Sequence, residues 1–298
     1  MIHAHVILNP AAGRGAALKT KDTVARAFRT QGWTVDVALT EQPGHASELA
    51  RAAAGNGGQR VIAVGGDGLV HEVANGLLAA GSDAQLGVVP VGSGNDFAKL
   101  AGVFGHSPER AVARLVTATA QRFDVGRVGN EWFVNSLGVG FGPAVVKLRN
   151  ETAARLKGFT SYLVPILRAF ATFAAPRCEL SSAEFSETGY MMMVEVCNGT
   201  TAGGSYRFAP EAQPTDGLLD VCLVRKVSLP RFLIAIPRVI RGTHAGMREV
   251  TIFRTRELRV RTPDKPLVLH MDGELREPGG HECVVTLEPK RLNVMVAR

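Results

Sequence analysis

Apolar residues in the first 121 positions follow two alternating rhythms. Short continuous runs at 5–8, 34–39, 60–64 and 86–89 alternate with stretches of helical spacing at 16–31, 45–54 and 70–80. Strand, helix, strand in this order predicts parallel strands joined by crossover helices. The runs are short and largely continuous, as expected of strands covered on both faces. Ser107-Pro108 then offers an N-cap and a first-turn proline for one more helix, to about Thr117. Beyond Gln121 the rhythm shortens. RFDVGRVGNEWFVNSLGVGF reads as two strands around Gly129-Asn130, and a helical segment over 152–172 should kink at Pro165. Short β-type runs follow at 191–197, 219–224, 250–253, 258–261, 267–271 and 284–287, with one helical insertion near Leu229–Arg241. The pattern predicts an α/β domain over 1–121 and a mostly antiparallel, sandwich-like β domain over 122–289 with helical insertions.

The third strand-like run ends in Gly65-Gly66-Asp67-Gly68, and helical spacing begins at once. Glycines between a strand and a helix let main-chain N–H groups approach a phosphate, and the helix N-terminus adds free donors and a favourable dipole. A carboxylate beside phosphates repels them unless a cation lies between, so the loop points to Mg²⁺–nucleotide with Asp67 facing the metal. The plain alternative is a tight turn with a solvated acid. Neither G-x-x-x-x-G-K-[ST] nor a G-x-G-x-x-G after the first strand occurs. Two further loops, ILNPAAGRG (7–15) and VPVGSGNDFAKL (89–100), also end strands with glycines. In a parallel sheet all three lie at the carboxyl edge, where open α/β sheets bind ligands.

The ordered set Asn9-Pro10…Gly13, Gly65-Gly66-Asp67-Gly68…Glu72, Gly92-Ser93-Gly94-Asn95-Asp96-Phe97 and Asp272-Gly273-Glu274 resembles the diacylglycerol kinase catalytic family, specifically its soluble bacterial lipid kinases. The resemblance covers nearly the whole chain. It implies a nucleotide-binding α/β domain plus a β-sandwich domain, an active-site cleft between them, and a last strand (about 290–298) that rejoins the first domain. It implies that Asn9, Pro10, Ala11, Ala12, Gly13, Gly66, Asp67, Gly68, Leu69, Val70, His71 and Glu72 hold ATP, with Thr40, Ser93 and Asn95 nearby. Asp67 and Asp96 would organise Mg²⁺–ATP. Asp124 resembles an acid of the family's supporting polar network, or is a simple strand acid. APEAQPTDGLLDV (209–221) resembles a structural Mg²⁺ segment, with Asp216, the main chain at Leu218 and a carbonyl of Gln213 as ligands. Leu69 stands where bacterial members commonly carry Thr, and GDGLVHEVANGL looks more like the sphingosine and ceramide kinase branch. Asn95-Asp96-Phe97 looks like the bacterial branch.

Opposite the nucleotide loops, Asp272-Gly273-Glu274 becomes a candidate base. Phosphoryl transfer to an alcohol needs positioning, charge neutralisation and a group that accepts the alcohol proton. Asp272 or Glu274 would supply it, with the choice open. His270, pointing opposite to Met271 in an alternating strand, reads as structural.

The net charge of +7 is compatible with a phosphate ligand, an anionic membrane surface or plain solvation. No aromatic-interleaved basic patch argues for nucleic acid. Cys178, Cys197, Cys222 and Cys283 form no C-x-x-C pair, which suits reduced structural thiols. No run approaches the ~18 apolar residues of a membrane span, and the first residues lack a secretory leader. The apolar stripe of residues 229–240, flanked by Arg231, Arg238 and Arg241, either covers the sandwich or rests on an anionic bilayer. The expectation is a cytoplasmic, peripherally membrane-associated kinase using ATP and Mg²⁺ on diacylglycerol or a related lipid at the membrane surface. A long-chain-base kinase and a non-catalytic nucleotide-binding regulator are the alternatives, and a homodimer stays an open option.

Overall fold

The computed structural model describes residues 2–152 and 160–297. The first half contains β1 (Ile2–Leu8), α1 (Ala16–Thr30), β2 (Trp33–Leu39), α2 (His45–Gly55), β3 (Arg60–Gly65), α3 (Asp67–Ala79), β4 (Gln85–Pro90), α4 (Asp96–Leu100) and α5 (Pro108–Leu115). Its four strands run parallel in the order β2-β1-β3-β4. The continuous apolar runs have a direct cause: Val61, Ile62, Ala63 and Val64 are all buried, because helices cover both faces. The Ser107 hydroxyl caps α5 by accepting from the Arg110 N–H at 3.4 Å.

The second half contains β5 (Thr119–Val128), β6 (Glu131–Phe133), β7 (Ser136–Gly140), α6 (Phe141–Thr152), α7 (Thr160–Thr172), β8 (Arg177–Ser181), β9 (Ser186–Cys197) and β10 (Leu219–Arg225). Helix α8 (Leu229–Arg241) and strands β11 (Val250–Thr255), β12 (Glu257–Arg261), β13 (Leu269–Met271), β14 (Glu274–Arg276) and β15 (Glu282–Val296) complete it. Strands β14-β13-β7-β9-β10-β11 form an antiparallel layer. Strands β9-β8-β12-β15-β5-β6 continue antiparallel and fold over it. Between the layers lies an apolar core that includes Leu137, Val194, Val221, Leu258 and Val285. Strand β15 is long enough to serve both halves. Its start pairs antiparallel with β12, and Asn293 and Val294 pair parallel with Gln85 and Leu86 of β4.

The two strands expected around Gly129-Asn130 are three. The chain breaks at Val134 and Asn135, whose N–H groups turn towards a carboxylate rather than a neighbouring strand. The expected helix over 152–172 is represented by α7, which runs through position 165; residues 153–159 lie outside the described residues. Helix α6 and the five-residue α4 were not expected: the first opens in a glycine-rich apolar stretch, the second is too short for a periodic signal. All four cysteines are buried free thiols, and burial pushes the pKa of Cys178 to about 11 and that of Cys222 to about 12.

Candidate active site

The parallel strands deliver their loops to one edge. After β1, Asn9 turns the chain by accepting the Ala11 N–H on its side-chain oxygen at 2.9 Å. The loops after β3 and β4 then meet main chain on main chain. A Cβ on Gly92 would lie 2.4 Å from Gly66 Cα, so no side chain fits between them. Asn95, at φ 54°, shapes the second loop, accepting the Gly92 N–H at 2.9 Å and donating to its carbonyl at 2.8 Å.

Two acids stand at this edge. Asp67 opens α3 and accepts the Phe97 N–H at 3.1 Å. Burial, followed by the charge of Asp96, raises its pKa to about 6. Asp96 opens α4 and is buried; it accepts from Lys99 Nζ at 2.7 Å, Thr201 Oγ1 at 2.8 Å and the Gly204 N–H at 2.7 Å. It therefore ties the first half to the 201–204 loop of the second. Both carboxylates flank the main chain of Gly94. A pair of hard oxygen donors, one of them kept from ionising by burial and by its neighbour's charge, fits a divalent cation such as Mg²⁺.

Opposite them, the turn from β13 to β14 presents Asp272 and Glu274 in different states. Asp272 sits at φ 50° and is buried. Its Oδ1 accepts the N–H groups of Asn135 at 2.8 Å and Ser136 at 3.0 Å, and its Oδ2 those of Val134 at 3.0 Å and His71 Nδ1 at 2.9 Å. Beyond His71, Nε2 meets Glu131 Oε1 at 2.9 Å, and Arg276 grips Glu131 with Nε at 2.8 and 2.9 Å. Burial works against the imidazolium, but the two carboxylates outweigh it and raise the His71 pKa to about 9. Glu131 is held at about 2, because hydrogen bonds from His71 and Arg276 outweigh its burial. Glu274 is exposed, and its Oε1 would lie 2.7 Å from a Cβ on Gly68. It is the acid that reaches across to the glycine loop.

A cavity of about 720 Å³ runs between these groups. From the first half it is lined by Asn9, Pro10, Ala11, Ala12 and Gly13, by Thr40, by Gly66, Asp67, Gly68, Leu69 and Glu72, and by Ser93 and Asp96; Asp272 and Glu274 face them. Val70, His71 and Asn95, expected to hold nucleotide, do not line it. Val70 is core, His71 is locked between two carboxylates, and Asn95 bonds its own loop. The cavity continues into an apolar chamber walled by Phe141, Met192, Tyr206, Phe232, Ile236 and Val250. Helix α8 supplies Phe232 and Val239 to this wall and leaves Leu229, Leu233 and Ile234 about half exposed. Glu195 and His270 also line it, facing one another at 3.4 Å. Only strand alternation at His270 hinted at this, and Glu195 carried no signal.

Gln213, Asp216 and Leu218 lie apart, on the loop before β10. Asp216 Oδ1 accepts the Leu218 N–H at 3.1 Å, and Asp220 beside it keeps one buried oxygen without a partner among the described residues. Asp124 pins this loop, accepting the N–H groups of Gly217 and Lys290 at 2.8 Å each. The spare carboxylate oxygen fits a hard cation, although Arg254, 3.1 Å from Asp220 and 3.9 Å from Asp216, already shares the charge.

Two lobes, glycine loops on one and a reaching carboxylate on the other, define a phosphotransferase cleft. Residues 3–128 match the diacylglycerol kinase catalytic domain, and residues 135–296 match the YegS C-terminal NAD kinase beta sandwich-like domain. The chain is 28% identical to a diacylglycerol kinase of Bacillus subtilis over 92% of this chain and 90% of that one. It is 32% identical to a "Probable lipid kinase YegS-like" of Alcanivorax borkumensis over 83% and 82%. A crystal structure of a diacylglycerol kinase from Bacillus anthracis shares the fold, with a TM-score of 0.73 at 19% identity over 99% of this chain and 96% of that one. The chain belongs to the diacylglycerol kinase family of lipid kinases. Among the described residues no helix is long and apolar enough to cross a membrane.

Proposed function

We propose that the protein transfers the γ-phosphate of ATP to the hydroxyl of a lipid, with diacylglycerol or a related lipid as acceptor. One observation carries the reading: Glu274, from the second half, abuts Gly68 at the start of α3, where the glycine loops meet the apolar chamber. The loops after β1, β3 and β4 bind the nucleotide through main-chain donors, and the start of α3 adds its dipole. Asp67 and Asp96 would hold Mg²⁺, which when bound neutralises charge on the phosphates. The chamber takes the acyl part of the acceptor and leaves its hydroxyl at the mouth. Glu274 accepts the hydroxyl proton as the oxygen forms its bond to the γ-phosphorus; the bond to the β-bridging oxygen breaks and ADP departs with that electron pair. Asp272, its four acceptor positions filled, positions residues 134–136 and His71 rather than taking a proton. A second cation, held by Asp216 and the carbonyls of Gln213 and Leu218, would stiffen the loop that Asp124 anchors.

The exposed Leu229, Leu233 and Ile234, with Arg231, Arg238 and Arg241 exposed on the same helix, would lay α8 on an anionic bilayer beside the chamber. The protein would thus visit the cytoplasmic face of a membrane to collect its acceptor. The deciding experiment is a screen of acceptor lipids with purified protein, Mg²⁺ and γ-labelled ATP. Label in diacylglycerol or a related lipid is the expected result. Nucleotide binding without labelled lipid from any acceptor would leave a regulator instead.

A further inference from the structure

One register row of the sheet under the chamber is built unlike its neighbours. It runs His270 on β13, Gly138 on β7, Glu195 on β9 and Cys222 on β10. Apolar side chains fill most of the chamber wall around it. The glycine between the acid and the histidine is required by space: a Cβ there would lie 2.3 Å from His270 Nε2 and 2.4 Å from Glu195 Oε2. Gly142 on α6 makes room from above, since its Cβ would lie 3.0 Å from the same ring nitrogen. The fold thus opens two positions to seat an acid–imidazole pair in a wall that is mostly apolar.

The pair is not self-sufficient. The two side chains are buried, 1% exposed for Glu195 and 7% for His270, and meet at Nε2 and Oε2, 3.4 Å apart. Glu195 Oε1 and His270 Nδ1 are buried and have no hydrogen-bond partner among the described residues. An unmade bond to a buried carboxylate is costly, so its persistence in a ligand chamber points to a partner brought by the ligand. Facing a carboxylate, Nε2 carries its hydrogen; Nδ1 is then donor or acceptor according to the charge of the ring. Glu195 Oε1 accepts in either case.

We propose that Glu195 and His270 read the polar part of the acceptor lipid and select one that carries an N–H or O–H donor beside the reacting hydroxyl. An amide, amine or second hydroxyl meets that demand. Apart from the reacting hydroxyl, a diacylglycerol offers only ester oxygens, which are acceptors and would face the carboxylate unbonded. This rests on the lipid kinase reading above, and narrows its acceptor to an amide- or hydroxyl-bearing lipid.

The test uses a matched pair in mixed micelles with Mg²⁺–ATP: 1,2-dioctanoylglycerol, and the analogue whose 2-ester is replaced by an amide. The two differ at one N–H. The wild type should favour the amide by roughly 10–100-fold in kcat/KM, the cost of leaving one buried polar group unpaired. The double variant Glu195→Met/His270→Leu removes both partners together, which avoids orphaning either, and its ratio should collapse towards one. Binding of a non-hydrolysable ATP analogue by calorimetry confirms that the variant is folded. A wild-type ratio near one overturns the proposal whether or not the variant folds. So does a ratio that survives in the folded variant, or an equal fold-loss on both acceptors, which would mark the pair as a base or a packing element. Phosphorylation of neither lipid by the wild type would overturn this inference and leave the kinase reading to the wider acceptor screen; phosphorylation of both without preference would likewise overturn only the inference.

Discussion

Asp272→Asn is a test of stability before it is a test of catalysis. The carboxylate receives three main-chain N–H groups, from Val134, Asn135 and Ser136, and the ring of His71, all within 3.0 Å. An amide cannot accept at both ends. With its oxygen kept towards Asn135 and Ser136, its NH₂ faces the Val134 N–H and the protonated Nδ1 of His71, donor against donor. The negative charge that stabilises His71 is lost as well. Breaking a buried ion pair from one side costs about 3–5 kcal/mol, which lowers Tm by roughly 10 °C in a chain of this size. Urea and thermal melts of wild type and variant, followed by circular dichroism, measure this directly. A variant that melts within ~1 kcal/mol of wild type and yet loses turnover would refute the reasoning, and would return Asp272 to the role of base.

Further predictions follow from the same contacts. The fold raises the His71 pKa from its ordinary 6.5 to about 9, so it favours the protonated ring. The resulting stabilisation is complete below pH 6.5 and is lost as pH rises through 9. It amounts to roughly 3 kcal/mol at 1.36 kcal/mol per pKa unit, and the slope should vanish in His71→Gln melts across that range. Gly68→Ala lies in helix α3, where alanine is the better helix former; stability should hold while the new methyl displaces Glu274 and kcat falls about tenfold or more, about 1.4 kcal/mol of barrier. Unaltered turnover would show that Glu274 is not needed where it stands. Asp67→Asn should weaken Mg²⁺-dependent nucleotide binding by calorimetry, and in the wild type that binding should fade as pH drops through about 6. Leu233→Glu/Ile234→Glu should reduce sedimentation with anionic liposomes, and equal sedimentation would leave α8 a packing helix.

The legible parts of this fold are those set by local rules. Buried parallel strands such as β3 announce themselves as unbroken apolar runs, and helix α8 by its spacing, Leu229–Arg241, to the residue. The three glycine loops were readable because the demand is chemical as well as steric: only glycine lets Gly66 and Gly92 touch. What stayed hidden depends on partners far away in sequence. Asp272 and Glu274 are two residues apart, and neither residue type nor spacing distinguishes them. The difference arises because residues 134–136 turn three N–H groups onto one acid and leave the other exposed. His71 looked like part of a nucleotide loop because helix periodicity says nothing of Glu131 and Asp272 arriving on its outer side. His270 was correctly expected to point away from Met271, which packs in the sandwich core, but its partner Glu195 is brought alongside only by the β13-β7-β9 register. Residues 284–287 and about 290–298 read as two separate strands, the second rejoining the first half, and nothing in their composition shows that one strand, β15, runs through both.

Phosphoryl transfer here turns on the acid that crosses the cleft. Transfer of label from γ-labelled ATP to an accepted lipid, measured for wild type and Glu274→Gln alongside ATP-analogue affinity in the same preparations, addresses it most directly. The variant should bind nucleotide as the wild type does and turn over ~10²–10⁴-fold more slowly. Wild-type turnover in Glu274→Gln would contradict the assignment of this cleft as the place where phosphate changes hands.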